Sequence, residues 1–398
     1  MHESLGAFRA DCDAAIGVLR QAIRDLASAA SCDPLRPQEV ARRFAINKNL
    51  TWKIARVLVA EDAFEAIPMI PGPEGVEIYL RAFEAAGLAA SRTDAVRRAV
   101  QGFESVVERH FGGRSQLEVV LDGIRSDGNL ESSRRMAFKG MAGVFGLQTR
   151  VRVTSQILAP SADRSDVGDY SLIVGLAGLQ RLRPIGALPV FRAAGSVKRG
   201  TGQPAPFVTP AGSEAPDYFL RDFSTFPNAT VGVKPGLDGR FAIELSEGPV
   251  GRIGESDLFF ATTARELISL RRGGTDADCS LVTSVSIPSE SLLSDLFVHK
   301  SIEVLDSLHA SIHSTLSQPL SEDPDQRRLS TLPINVAPLV IENLALGFAP
   351  SGVPRYEEMV LRAFECLKRD PAEFRLIRVA MEFPPAPSAL LLNWALPE

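Results

Sequence analysis

Asn49, Trp52, Lys53 and Arg56 recur at spacings of three and four, so on a helix they share one face. Counted at about 100° per residue from Asn49, Trp52 falls at about −60°, Lys53 at about +40° and Arg56 at about −20°. Leu50, Ile54, Val57 and Leu58 fall on another side, at roughly 80–180°. An amide and two cations on a free face can reach base edges, Asn pairing with adenine and Arg with guanine. Arg42, Arg43 and Lys48 precede them and are placed to neutralise phosphates. Trp52 is unusual for base readout and suits stacking on a sugar or packing on a neighbouring helix. Residues 36–58 hold six cations against the single acid Glu39, a local charge of +5.

Elsewhere the chemistry is sparser. His299, His309 and His313 lie within HKSIEVLDSLHASIH. Read as part of a helix over 289–316, they join Glu303 and Asp306 inside an arc of about 120°. On such a helix His309 and His313 have the spacing by which two imidazoles share a metal. The Glu of an HExxH motif is missing, and Leu305, Leu308, Ile312 and Leu316 form an ordinary core face opposite. The stripe therefore reads as a solvated polar face rather than a metal or proton-transfer site. Asp295 and Glu303 have no spacing that pairs them for acid–base work. Gly140-x-x-Gly143-x-x-Gly146 follows Arg134, Arg135 and Lys139; it reads as helix packing or a helix stop rather than an anion nest. Arg199-Gly-Thr-Gly-Gln is a further place where a loop could meet an anion.

The sequence has no GxGxxG, GxxxxGK[ST] or GxSxG, so no cofactor is expected. Cys12, Cys32, Cys279 and Cys366 form no CxxC pair and suit neither zinc nor a disulfide framework. They read as small buried apolar residues, with Cys366 beside Phe364 and Leu367.

The elements that must position the cationic face are two short helices over 35–60 with a tight turn between them. Pro37 suits a first helical position. This pair resembles the helix-turn-helix of bacterial winged-helix transcriptional regulators. The matching residues are Glu39, Val40 and Ala41, then Ala45, Ile46, Asn47 and Lys48, then Lys53 and Ile54. The resemblance covers residues 37–60 only and implies duplex DNA as partner. Two departures stand out. Ala45 occupies the turn position usually held by Gly, where a left-handed backbone is strained. The segment 61–78, where a wing would follow, is rich in Pro and Gly and reads as a loop or irregular hairpin. It carries Glu61, Asp62, Glu65, Glu74 and Glu77 without a Lys or Arg, and so would repel phosphate.

Around that pair, residues 4–29 predict one long helix. Leu5, Phe8, Cys12, Ala15, Leu19, Ala22 and Leu26 mark a heptad-like seam, either lying on the following domain or forming a dimer contact. Further helices are expected at 76–88, 92–111, 115–123 and 131–145. From about residue 149 short β-type segments take over, broken by Gly, Pro, Asp and Ser clusters. The stretch 195–217 reads as a long loop or lid. Helices return at 289–316 and 354–368, and the chain ends on two strands. The fold class is α+β: a helical domain over 1–147 and a larger α+β domain over 148–398.

The chain has 398 residues, 45% hydrophobic and 23% charged, with net charge −5. An acidic whole argues against a chain coated with nucleic acid but leaves room for a local basic patch. Of the aromatic residues 21 are Phe, 4 Tyr and 2 Trp, which leaves little material for base-stacking platforms. Neither a secretory signal nor a bilayer-spanning run is visible, so a cytoplasmic protein without a membrane partner is expected. The leading reading is a DNA-binding regulator, a homodimer whose C-terminal domain senses a small-molecule effector or binds a partner. One alternative is an interaction protein whose helix-turn-helix only packs; another is an enzyme housed in the C-terminal domain.

Overall fold

The computed structural model describes residues 2–125, 130–193, 205–206, 218–225, 231–235, 241–273, 278–321 and 323–398. The chain divides into two units, Met1–Arg125 and Ser126–Glu398. The first is helical and the second carries the sheets, so the fold class is α+β. The division falls at 125/126 rather than at 147.

The first unit is built from α1 (His2–Ala29), α2 (Pro37–Phe44), α3 (Lys48–Val59), α4 (Ala63–Ala66), α5 (Pro73–Ala85), α6 (Ala90–Phe111) and α7 (Arg114–Arg125). The seam of α1 is spent inside this unit. Phe8, Cys12, Leu19 and Leu26 are buried in a core shared with Val57, Leu58, Phe83, Val100 and Phe103. Among the described residues, the seam thus packs largely within this unit. The segment 61–78 is not a hairpin. Asp62 caps α4 by accepting from the Glu65 amide, Pro73 opens α5, and Phe64, Ile67, Ile70 and Val76 turn into the core. Pro at a helix start is favourable, so the Pro-rich composition punctuates helices here instead of excluding them.

The second unit opens with α8 (Glu131–Phe145), which ends at Gly146 with φ 69°. The Gly140/Gly143 spacing therefore lies within a helix and its stop. Buried Arg134 donates to the carbonyls of Glu382 and Phe383, and so ties α8 to this unit. The strands are β1 (Leu147–Pro160), β2 (Val167–Arg181), β3 (Leu188–Ala193), β4 (Ala205–Pro206), β5 (Val231–Pro235), β6 (Phe241–Leu245), β7 (Ser256–Ser269), β8 (Asp278–Val285), β9 (Ser289–His299), β10 (His309–Ser314), β11 (Leu339–Ile341), β12 (Phe374–Glu382) and β13 (Ser388–Ala395). Two further helices are α9 (Pro324–Leu329) and α10 (Tyr356–Leu367).

Seven strands form one sheet in the order β11-β12-β9-β1-β2-β7-β4, and β10-β13-β8 and β3-β6-β5 form two smaller ones. β1 runs antiparallel to β2 and parallel to β9. On one face of the large sheet, Val153, Ile157, Leu293, Phe297 and Leu376 pack with Met359, Val360 and Phe364 of α10. On the other, Leu158, Leu292, Leu296 and Ile377 pack with Ile312, Leu390, Leu392 and Trp394 of the small sheet. Strands β1 and β9 are thus covered on both sides. The expected helix over 289–316 is in fact β9, a short connection and β10. A strand buried on both faces is apolar almost continuously, which periodicity cannot tell from a buried helix.

Asp295 of β9 is wholly buried. Arg378, its cross-strand partner on β12, donates to it twice, at 2.8 and 2.6 Å. The Tyr356 hydroxyl donates to the same carboxylate at 2.5 Å, and Ser155 Oγ lies 2.6 Å from that hydroxyl. Burial pushes the Asp295 carboxyl up, against the pull of Arg378 and Tyr356. This network joins α10 to three strands. Replacing Arg378 with Met strands a buried carboxylate and is expected to cost about 3–5 kcal/mol. Tyr356→Phe should cost about 1 kcal/mol, both read from urea unfolding midpoints.

Candidate nucleic-acid interface

Helix α3 starts one residue before Asn49. Asn47 is its N-cap, its side chain accepting from the Asn49 amide at 2.8 Å. The preceding turn is closed by Ala45 in the left-handed region, φ 53° and ψ 38°. The Ile46 amide reaches back to the Ala41 carbonyl at 3.0 Å, which is the Schellman closure. Ile46, the next residue, is buried. Thr51 Oγ1 donates to the Pro37 carbonyl at 2.9 Å and fixes α3 against α2. At the other end, Arg20 of α1 donates to the carbonyls of Val57 at 2.8 Å and Ala60 at 2.7 Å. A guanidinium on the last carbonyls of a helix satisfies acceptors that lack an intrahelical partner. Arg20 carries no sequence signal for this role; no local pattern links it to a helix beginning at residue 48.

The faces of α3 separate as the spacing predicts. Thr51, Ile54, Ala55, Val57 and Leu58 are buried, while Lys48, Asn49, Trp52, Lys53 and Arg56 are exposed. Trp52 is 51% exposed, and the Arg56 guanidinium lies 5.3 Å from its ring centroid. Half-exposed Trp52 supports Arg56 from the same face.

The cations divide into two groups. Arg36 pairs with Asp33 and Glu39. Arg43, though exposed, is engaged: it donates to the Ser31 carbonyl at 2.8 Å and lies over the Phe44 ring. Arg42, Lys48, Lys53 and Arg56 have no carboxylate within ion-pair distance among the described residues. Elsewhere in the unit Arg9, Arg81, Arg97, Arg109 and Arg114 have one, whereas Arg24, Arg92 and Arg98 are exposed and have none among the described residues. The first turn of α3 also lacks an acid, so the positive end of its dipole is not offset locally.

The histidine stripe does not exist as a helix face. His299 ends β9, and His309 and His313 lie on β10. Four residues along a strand span about 13 Å, too far for two imidazoles to share a metal. Among the described residues no three His, Cys, Asp or Glu side chains gather as a metal site. Arg199-Gly-Thr-Gly-Gln and nearly all of the 195–217 loop lie outside the described residues. A groove of about 650 Å³ runs beside α10 and includes Phe223, Val353, Tyr356 and Leu361. Its Arg355 and Arg362 are already paired with Glu358 and Asp222. No helix among the described residues is long and apolar enough to cross a membrane.

Comparison with known proteins supplies no family. No family model matches the chain, and no curated protein does. One similar solved structure is described as that of "a putative protease" from Parabacteroides distasonis ATCC 8503, at 9% identity and a TM-score of 0.24. The match covers 64% of this chain and 41% of that one, and at that similarity it carries no argument about fold or activity.

Two outcomes follow from this geometry. Ala45→Gly removes the left-handed strain and should stabilise the chain by about 0.5–1 kcal/mol in urea unfolding. Burial lowers the pKa of both His299 and His313 below 6.5. The unfolded chain therefore takes up protons first, and this stability contribution is lost as pH falls through about 6.5 and below. The unfolding midpoint should drop between about pH 7 and 5, and less so in His313→Gln.

Proposed function

We propose that the chain is a DNA-binding regulator in which α3 enters the major groove of duplex DNA. The observation that carries this reading is the clustering of four exposed cations, Arg42, Lys48, Lys53 and Arg56, on α2 and the outer face of α3, without carboxylate partners among the described residues. Lys48, on a first turn of α3 that holds no acid, suits a phosphate. Asn49, Lys53 and Arg56 are spaced to approach base edges, with Arg56 supported on Trp52. Arg42 reaches the backbone from α2, and Arg43 contributes less because its guanidinium is engaged with Ser31. The second unit is the effector- or partner-binding body in this reading, and the α10 groove is where an effector would be sought. A homodimer would place two copies of α3 about 34–36 Å apart, in successive major grooves.

Fluorescence anisotropy with labelled duplex fragments tests this reading. Affinity should fall steeply between about 50 and 200 mM salt. Lys53→Ala with Arg56→Ala should weaken binding and lower the log–log salt slope by about 2 wherever both meet phosphates, or relax sequence preference where they meet bases. A folded protein that shows no salt-sensitive binding refutes the proposal.

A further inference from the structure

Strand β10 carries a pair of side chains that the regulator reading leaves unused. Ser311 and His313 are two residues apart on a strand and therefore project from the same face. Ser311 Oγ lies 2.8 Å from His313 Nε2. On the far side of the ring, His313 Nδ1 lies 3.1 Å from the Arg327 carbonyl; the Ser330 and Thr331 hydroxyls, 3.2 and 3.4 Å from Nδ1, can both donate to that same carbonyl. A carbonyl only accepts, so Nδ1 carries the proton and Nε2 is left to accept from the Ser311 hydroxyl. Nucleophile, base and a third group that orients the base are thus in line.

We propose that Ser311 and His313 form a nucleophile–base pair that cleaves short apolar acyl esters.

Three surrounding features suit that chemistry. His313 is 4% exposed and its pKa is lowered by burial, so the imidazole is neutral and able to accept a proton at neutral pH. The charged and titratable groups acting on it are Arg327 and His309. Arg327 also supplies a cation: its carbonyl sits at His313 and its guanidinium donates to Ser280 Oγ at 3.2 Å. In the small sheet Ser280 pairs with Asn393 and Asn393 with His309, while Ser311 pairs with Leu391 and Leu391 with Val282. Arg327 therefore crosses the Ser311–Leu391–Val282 row, where an oxyanion would develop. That row is apolar beyond Ser311: Leu391 is buried and Val282, at its far end, is 42% exposed, so a short acyl chain would rest against Val282.

In the reaction Ser311 Oγ bonds to the ester carbonyl carbon as Nε2 takes its proton. The ester C–O bond then breaks and the alcohol leaves with that proton. Water repeats the sequence, releasing the acid and restoring Ser311. This activity is independent of the α3 surface.

The test is labelling of the full chain with an alkyl fluorophosphonate, in which Oγ bonds to phosphorus and fluoride leaves. Peptide mass mapping should place one adduct on Ser311. Labelling should hold at neutral pH and fall on acidification past the usual imidazole range. Ser311→Ala should lose both the adduct and p-nitrophenyl acetate hydrolysis above the buffer rate. His313→Asn, checked for folding by circular dichroism, should lose the adduct. An unlabelled Ser311 in the folded wild-type chain overturns the proposal whatever the variants do, as does undiminished labelling in folded His313→Asn.

Discussion

The parallel pairing of β1 with β9 is the contact on which the second unit depends. Parallel neighbours cannot be joined by a tight turn, so everything from β2 to β8 is an excursion that must return to the middle of the same sheet. The two strands then sit side by side with α10 over one face and the small sheet over the other. That position demands side chains that are apolar on both faces, and it makes any polar group placed there expensive. Asp295 is admitted only because Arg378 and Tyr356 meet it at hydrogen-bonding distance.

The same constraint decides what could be read from the sequence. Amphipathic helices and half-covered strands announce themselves, because one face differs from the other. α6 and α10 were legible for that reason. β9 was not, since Leu292, Leu293, Leu296, Phe297 and Val298 leave no periodic contrast. Taking it for a helix also created a histidine stripe that the strand geometry dissolves. The pairing of Ser311 with His313 was hidden by the same error, because residues two apart face apart on a helix and together on a strand. The Pro-rich composition of 61–78 misled in a different way, since Pro68 and Pro73 sit near helix starts, where proline is tolerated.

The cationic face of α3 was legible because it depends on local spacing alone. Burial of Ile54, Val57 and Leu58 turns Asn49, Lys53 and Arg56 outward whatever the rest of the chain does. What spacing could not supply was the partnering of each cation. Arg36 and Arg43 resemble Arg42 in sequence, yet one is held by Asp33 and Glu39 and the other by the Ser31 carbonyl. Nor could it supply Arg20, whose contacts with Val57 and Ala60 bridge 37 and 40 residues.

Those two hydrogen bonds from Arg20 have a mechanical consequence. The far end of α3 is clamped to the longest helix of its unit, and the near end is pinned to α2 through Thr51. A helix held at both ends cannot tilt in its socket to meet one groove better than another. In the proposed complex, adaptation to a curved or kinked duplex would then fall to the duplex, and its deformability would become part of what is recognised.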